Sequence, residues 1–127
     1  MSFADTRQAL ADQLRNDAEW STYAYPPAIP QPMSVVIEPD DPYIQSVNAR
    51  VTLAARMRVR VRIYVGLFDN QGNLEQLEHI ANKVRQMLLD SVQNVGDLSS
   101  PQLTALETGD LLSVYLPVEI LTEWSTS

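Results

Sequence analysis

Four guanidinium groups in one row are the strongest chemical feature of this sequence. Arg56, Arg58, Arg60 and Arg62 stand at every second position and supply four of the nine basic residues. A planar guanidinium binds a carboxylate or phosphate through paired N–H donors, so the row is equipped for recognition rather than bond making. On one side of a strand such residues sit roughly 6–7 Å apart, and their charges repel unless something answers them. Three answers are open: cross-strand pairing with Glu119 and Glu123 on the wet side of the last strand, acidic residues of another subunit, or a nucleic-acid backbone. The net charge of −7 opposes the third. So does the absence of aromatic residues interleaved for base stacking.

The remaining inventory holds little catalytic chemistry. A Ser-His-Asp arrangement needs its histidine, and His79 is the only one. It falls between Glu78 and Ile80 in a helical pattern, where a partly exposed helix residue is expected. One histidine without cysteine leaves no zinc site. Asp69-Asn70-Gln71-Gly72-Asn73 has its glycine fourth, whereas a calcium loop needs it sixth with a glutamate at the twelfth position. Asp40-Asp41, between Pro39 and Pro42, reads as a solvated turn rather than a metal or acid pair. With four glycines there is no phosphate-cradling loop. The expectation is a protein that is not an enzyme and carries no cofactor or metal.

The chain has 127 residues, 45% of them apolar, enough for one domain with its own core. The absence of cysteine fits a reducing cytoplasm. The acidity opposes docking on an anionic membrane. Met1-Ser2-Phe3-Ala4-Asp5 lacks the basic and apolar regions of a signal peptide. No apolar run approaches the ~18–20 residues of a spanning helix.

The elements that must position the arginines are legible as patterns. Ser2 with Asp5 three residues later is a helix start, and Phe3, Leu10, Ala11, Leu14 and Ala18 form a stripe to about Ala18. Six of the eight prolines lie between Pro26 and Pro42. That density predicts an extended arm over about 20–48, interrupted only by a short edge strand at Ser34–Glu38. From Val51 to Leu67, Met57, Val59, Val61, Ile63 and Val65 alternate with the arginines, the mark of a strand with one buried face. Asp69–Gly72 is a turn. A helix is expected from Asn73, as N-cap, to about Gln93 on Leu74, Leu77, Ala81, Val84 and Leu88, with Gly96 as its stop. Strands at Gln102–Thr108 and Leu111–Glu123 follow, joined by a tight turn at Gly109-Asp110. The expected fold is α+β: a two-layer sandwich, an antiparallel-rich sheet of about four strands with two helices on one face, in the order α-β-β-α-β-β.

The opening Ser-Phe-Ala-Asp-Thr-Arg-Gln-Ala-Leu-Ala-Asp-Gln-Leu (2–14) resembles the start of tail terminator proteins of siphophages that infect actinobacteria. The proline-rich segment after Tyr23 and Tyr25 is similar to the stretch beyond that helix in the family. The similarity continues through Arg58-Val59-Arg60-Val61-Arg62-Ile63-Tyr64-Val65, an amphipathic helix, and a closing strand pair ending Tyr115-Leu116-Pro117-Val118-Glu119-Ile120. It covers nearly the whole chain and rests on element order and texture.

The resemblance implies a structural protein of the virion neck, assembled in the host cytoplasm. It implies a ring, a hexamer, that caps the tail tube, ends its polymerisation and presents a surface to the head-completion protein. DNA would pass through the lumen without specific binding. A ring subunit needs two complementary patches that close. The candidate patches are the arginine row with Glu119 and Glu123, and the arm through Tyr23, Tyr25, Pro26 and Pro27. A strongly cationic channel would hold DNA back, so the row is expected to face a partner or its own sheet's acids. The rival readings are a head-completion or stopper protein of the same neck, and an oligomeric adaptor domain unrelated to phage.

Overall fold

Ser2 caps the first helix reciprocally: its hydroxyl accepts from the Asp5 N–H at 3.1 Å, and the Asp5 carboxylate accepts from the Ser2 N–H at 3.2 Å. The computed structural model describes residues 2–46, 54–66, 70–89, 94–107 and 109–124. The helix, α1 (Phe3–Gln13), stops short of the expected Ala18. The Trp20 indole N–H takes the Leu14 carbonyl at 2.9 Å, and a bridge between Asn16 and Trp20 folds the chain back.

The next turn of chain corrects the arm. Ser21–Tyr23 forms β1, which pairs parallel with the first residues of β2 (Ser34–Ser46), Ser21 opposite Ser34 and Tyr23 opposite Val36. Parallel neighbours need a crossover to return the chain to the same end. Residues 24–33 are that crossover, closed by the Ser21 N–H donating to the Met33 carbonyl at 3.0 Å. Met33 re-enters the sheet at φ 55°, a left-handed conformation unusual for a side-chain-bearing residue, and its side chain packs against the core.

The second strand runs to Ser46 rather than ending at Glu38, straight through Pro39 and Pro42. Its pairing with β3 (Ala54–Gly66) is antiparallel and regular from Ser34↔Tyr64 to Pro39↔Val59, then resumes at Ile44↔Met57. Asp40, Asp41, Pro42 and Tyr43 therefore bulge opposite Arg58 alone. Prolines survive here because β1 covers only Ser34–Val36, so beyond it the missing donors face an open edge.

The long helix α2 is Asn70–Leu88. Asn73 lies inside it, 6% exposed, and is not its cap. The expected turn over Asp69–Gly72 is helix from Asn70 onward, and α2 ends at Leu88 rather than about Gln93; Asp69 and residues 90–93 lie outside the described residues. Asn94–Val95 forms β4, Gln102–Thr104 forms β5 and Leu111–Glu123 forms β6. Thr104 pairs with Leu111, so a longer connection than a Gly109-Asp110 turn links the last two strands. Gly96 is not a helix stop; its N–H donates to the Pro117 carbonyl at 2.7 Å.

The fold is α+β, with a mixed sheet of six strands among the described residues rather than about four. The order in the sheet is β1-β2-β3-β6-β4, with β5 also pairing β6. The chain order is α-β-β-β-α-β-β-β because β1 and β4, three and two residues long, are too short to leave a periodic signal.

One core unites both helices with one sheet face. Leu10 and Leu14 of the first helix region and Leu77, Ile80, Ala81, Val84 and Leu88 of α2 pack with Val35, Ile37, Met57, Val59, Val61, Ile63, Val114, Leu116 and Val118. The side-chain amide of Gln13 donates to the Met87 carbonyl and ties the helix ends together. None of the described helices is long and apolar enough to cross a membrane.

Pro117 sits mid-strand because its own polar atoms face β4, where Gly96 supplies a donor and needs none in return. A Cβ on Gly96 would lie 2.5 Å from the Pro117 ring. Gly96→Ala is therefore expected to cost about 1–3 kcal/mol. Chemical denaturation checks this, and a loss within ~0.3 kcal/mol would show that the β4 edge yields freely.

Candidate interaction surface

The helix-free face of the sheet is built from the alternate residues of three strands. Register places Val36, Arg62 and Tyr115 in one cross-strand row, then Glu38, Arg60 and Pro117, then the bulge, Arg58 and Glu119, then Gln45, Arg56 and Leu121. The alternation that buries Val59 and Val61 thus leaves all four guanidinium groups of the row on this side.

Each arginine meets an acid of its own chain. Arg62 Nε donates to Glu38 Oε1 at 2.8 Å, and its Nη1 donates to Gln102 Oε1 at 3.0 Å and Ser113 Oγ at 3.2 Å. Its side chain is only 12% exposed. Arg60 Nε donates to Asp40 Oδ1 at 3.0 Å. Arg58 Nη2 lies 3.8 Å from Asp40 Oδ2, its Nε lies 3.6 Å from Glu119 Oε1, and its Nη1 donates to the Asp41 carbonyl at 3.2 Å. Arg56 is the loosest: its Nε makes no hydrogen bond and lies 3.8 Å from Glu119 Oε2.

The Asp40 side chain, 10% exposed, is the hub of this network. The bulge brings it there, and its Oδ1 also accepts from the Asp41 N–H at 2.8 Å. Asp40 is therefore not a solvated turn residue. Of the two acids expected to answer the row, Glu119 does so. Glu123 lies opposite Ala54, exposed, and makes no ion pair among the described residues.

One aromatic residue does enter the row, Tyr115 of the neighbouring strand β6. The Arg60 and Arg62 guanidinium carbons lie 4.8 and 5.0 Å from the Tyr115 ring centroid. Both cations cover the ring, so it is occupied by its own chain's charge rather than open for base stacking. At the far end Val36, Tyr64 and Leu111 make a small second cluster, with Tyr23 and Leu106 against it. Burial pushes the Tyr64 phenol up, and the Glu38 carboxylate adds to the rise.

Tyr23 thus joins the end of the arginine face and packs within its own chain. Tyr25 is carried away from it, 64% exposed, with Pro26 exposed and Pro27 half-buried. The signal for Asp40 was available: an acid two residues beyond the expected short strand and flanked by prolines. Only the register shows that the bulge turns it inward.

His79 lies outside this face. Its Nε2 is 3.6 Å from Glu19 Oε1, which also accepts from Lys83 Nζ at 2.6 Å. Among the described residues no group of three or more His, Asp or Glu side chains is arranged to hold a metal. The hydrogen bond from Lys83, helped by His79, holds the Glu19 carboxyl below its usual range. A carboxyl whose folded pKa is depressed contributes stability above its unfolded value, and that stability is lost as pH falls through the folded one. The link between the post-α1 turn and α2 should therefore weaken below about pH 4.5. Thermal unfolding against pH, compared with Lys83→Met, checks this: the variant should lose part of the acid sensitivity, and an unchanged profile would refute the link.

No protein-family model matches the chain, and no curated protein matches it significantly.

Proposed function

We propose that this chain is a structural ring subunit of a tailed-phage neck, the tail terminator that caps the tail tube, rather than an enzyme. The observation that supports this reading is that the arginine face is answered largely by its own chain's acids. Glu38, Asp40 and Glu119 hold Arg58, Arg60 and Arg62, with Arg56 loosely attached to Glu119, and leave a broad sheet surface with little free cationic grip. Such a surface suits contact with a neighbouring protein ring, or a channel through which DNA slides, because immobilised phosphate needs unpaired positive charge. The resemblance of residues 2–14 and 58–65 to tail terminators points the same way. Its partners on this reading are other copies of itself, the tail tube protein and a head-completion protein, in the virion neck.

Co-production with the tube protein tests the role. Tubes should be bounded in length with the chain present and over-long without it, with the chain at one tube end in electron micrographs. Binding to portal-side protein without binding to tube would favour the stopper reading. A strict monomer or dimer that ignores both would favour an unrelated adaptor domain.

A further inference from the structure

The two outer edges of the sheet carry apolar features that cannot meet within one chain. At the β1 edge the arm spans Ala24 to Met33 and holds no charged residue. Its Tyr25 is 64% and its Ile29 60% exposed. At the β4 edge, α2 and the chain after β4 frame a groove of about 190 Å³ with Ala81, Val95 and Leu116 in its lining and Leu98, 42% exposed, at its lip. That volume lies below the ~300 Å³ at which small-molecule pockets begin, and suits a side chain.

We propose that the arm of one copy seats in the β4-edge groove of the next, Tyr25 or Ile29 filling it against Leu98. The arm cannot fill its own groove. It leaves and re-enters the sheet at neighbouring residues, since the Ser21 N–H meets the Met33 carbonyl. Its tip therefore reaches at most ~16 Å, half the contour of its ten residues (24–33). The groove edge lies four strand spacings from β1, roughly 19 Å, with both helices packed on the intervening face.

Charge matches the same pairing. Arg85 and Asp97 line the groove and make no ion pair among the described residues. Asp12 and Arg15 line the pocket that holds the base of Tyr25. Arg15 has only an exposed contact to Asp17 at 3.9 Å. Each edge therefore offers a guanidinium and a carboxylate at its pocket, Arg15 with Asp12 and Arg85 with Asp97, which a head-to-tail contact pairs crosswise. The prolines stiffen the arm and reduce the ordering cost of docking it. Because the two patches differ, repetition closes a ring or grows a filament. The closure into a ring rests on the function proposed above.

Disulfide trapping tests this cleanly, because the chain has no cysteine of its own. Tyr25→Cys and Leu98→Cys are made singly and together, with Ile29→Cys as a second arm probe. All lie at exposed positions, and circular dichroism checks folding. Under mild oxidant, free and on tail tubes, a mixture of arm and groove variants should give at least tenfold more dimer than either alone. The double variant should give a covalent ladder ending in one closed species. Monomer under every condition, or Leu98→Cys dimerising equally well alone, would overturn the proposal. A trapped ring that leaves tube length unbounded would keep this contact and remove the terminator role. Bounded tubes with neither the 25–98 nor the 29–98 disulfide would do the reverse.

Discussion

Trp20→Ala should lower the free energy of unfolding by about 3–5 kcal/mol, the range for emptying a large aromatic site in a packed core. Trp20 is 2% exposed and sits where α1, the turn after it and β1 meet. Its indole N–H satisfies the Leu14 carbonyl at 2.9 Å, one of the acceptors left over at the helix end. The Thr22 hydroxyl, at 3.5 Å from the same carbonyl, is too distant to replace it fully. Urea unfolding measures the loss, and Trp20→Phe separates the hydrogen bond from the bulk. Trp124→Ala is the control: 40% exposed and in edge contact with Phe3 at 5.3 Å, it should cost about 1 kcal/mol. Equal effects at the two positions would contradict the packing described.

Reversing the centre of the arginine row should be almost as damaging. Arg58→Glu with Arg60→Glu places two new carboxylates beside Asp40, whose side chain is 10% exposed, and beside Glu119. Removing one side of a largely desolvated ion pair costs several kcal/mol, because the charge left behind has nowhere to hydrate. The arginines keep partial contact with water, 26% and 36% exposed, so about 2–4 kcal/mol is expected. Arg56→Glu, at 40% exposed and 3.8 Å from its acid, should stay within about 1 kcal/mol. Adding Asp40→Arg to Arg60→Glu should restore part of the loss. If the double reversal leaves unfolding unchanged and only blocks assembly, the row is an interface and not a structural brace.

The contrast between these sites shows what the chain's own pattern encodes. The buried half of β3 was readable because a period of two over Met57, Val59, Val61 and Ile63 admits one interpretation, and α2 because Leu77, Ala81, Val84 and Leu88 repeat at helical spacing. The cap at Ser2 was readable because its bonds span three residues. β1 was not: Ser-Thr-Tyr before a proline run acquires strand geometry only from its parallel neighbour. Nor was the β2 extension, since proline argues against a strand until the open edge beside it is known. The candidate surface was half visible. Arg56 to Arg62 and Glu119 stood out in alternating strands, whereas Asp40, Gln102 and Tyr115 reach the row through pairings distant in sequence.

The bulge at Asp40–Tyr43 has a consequence for how the sheet chooses its alignment. β3 repeats arginine and an apolar residue with a two-residue period, so sliding β2 along it by two positions would return the same kinds of side chain to each face. Translation by that step is nearly degenerate for hydrophobic burial alone. Locking Asp40 onto Arg58 and Arg60 while Glu38 holds Arg62 breaks the degeneracy, because a slip of two residues either carries Glu38 past the end of the row to Tyr64 or leaves Arg62 without its acid. The acids around the two prolines thus act as a detent on a repetitive track, holding a strand whose own pattern would let it slip.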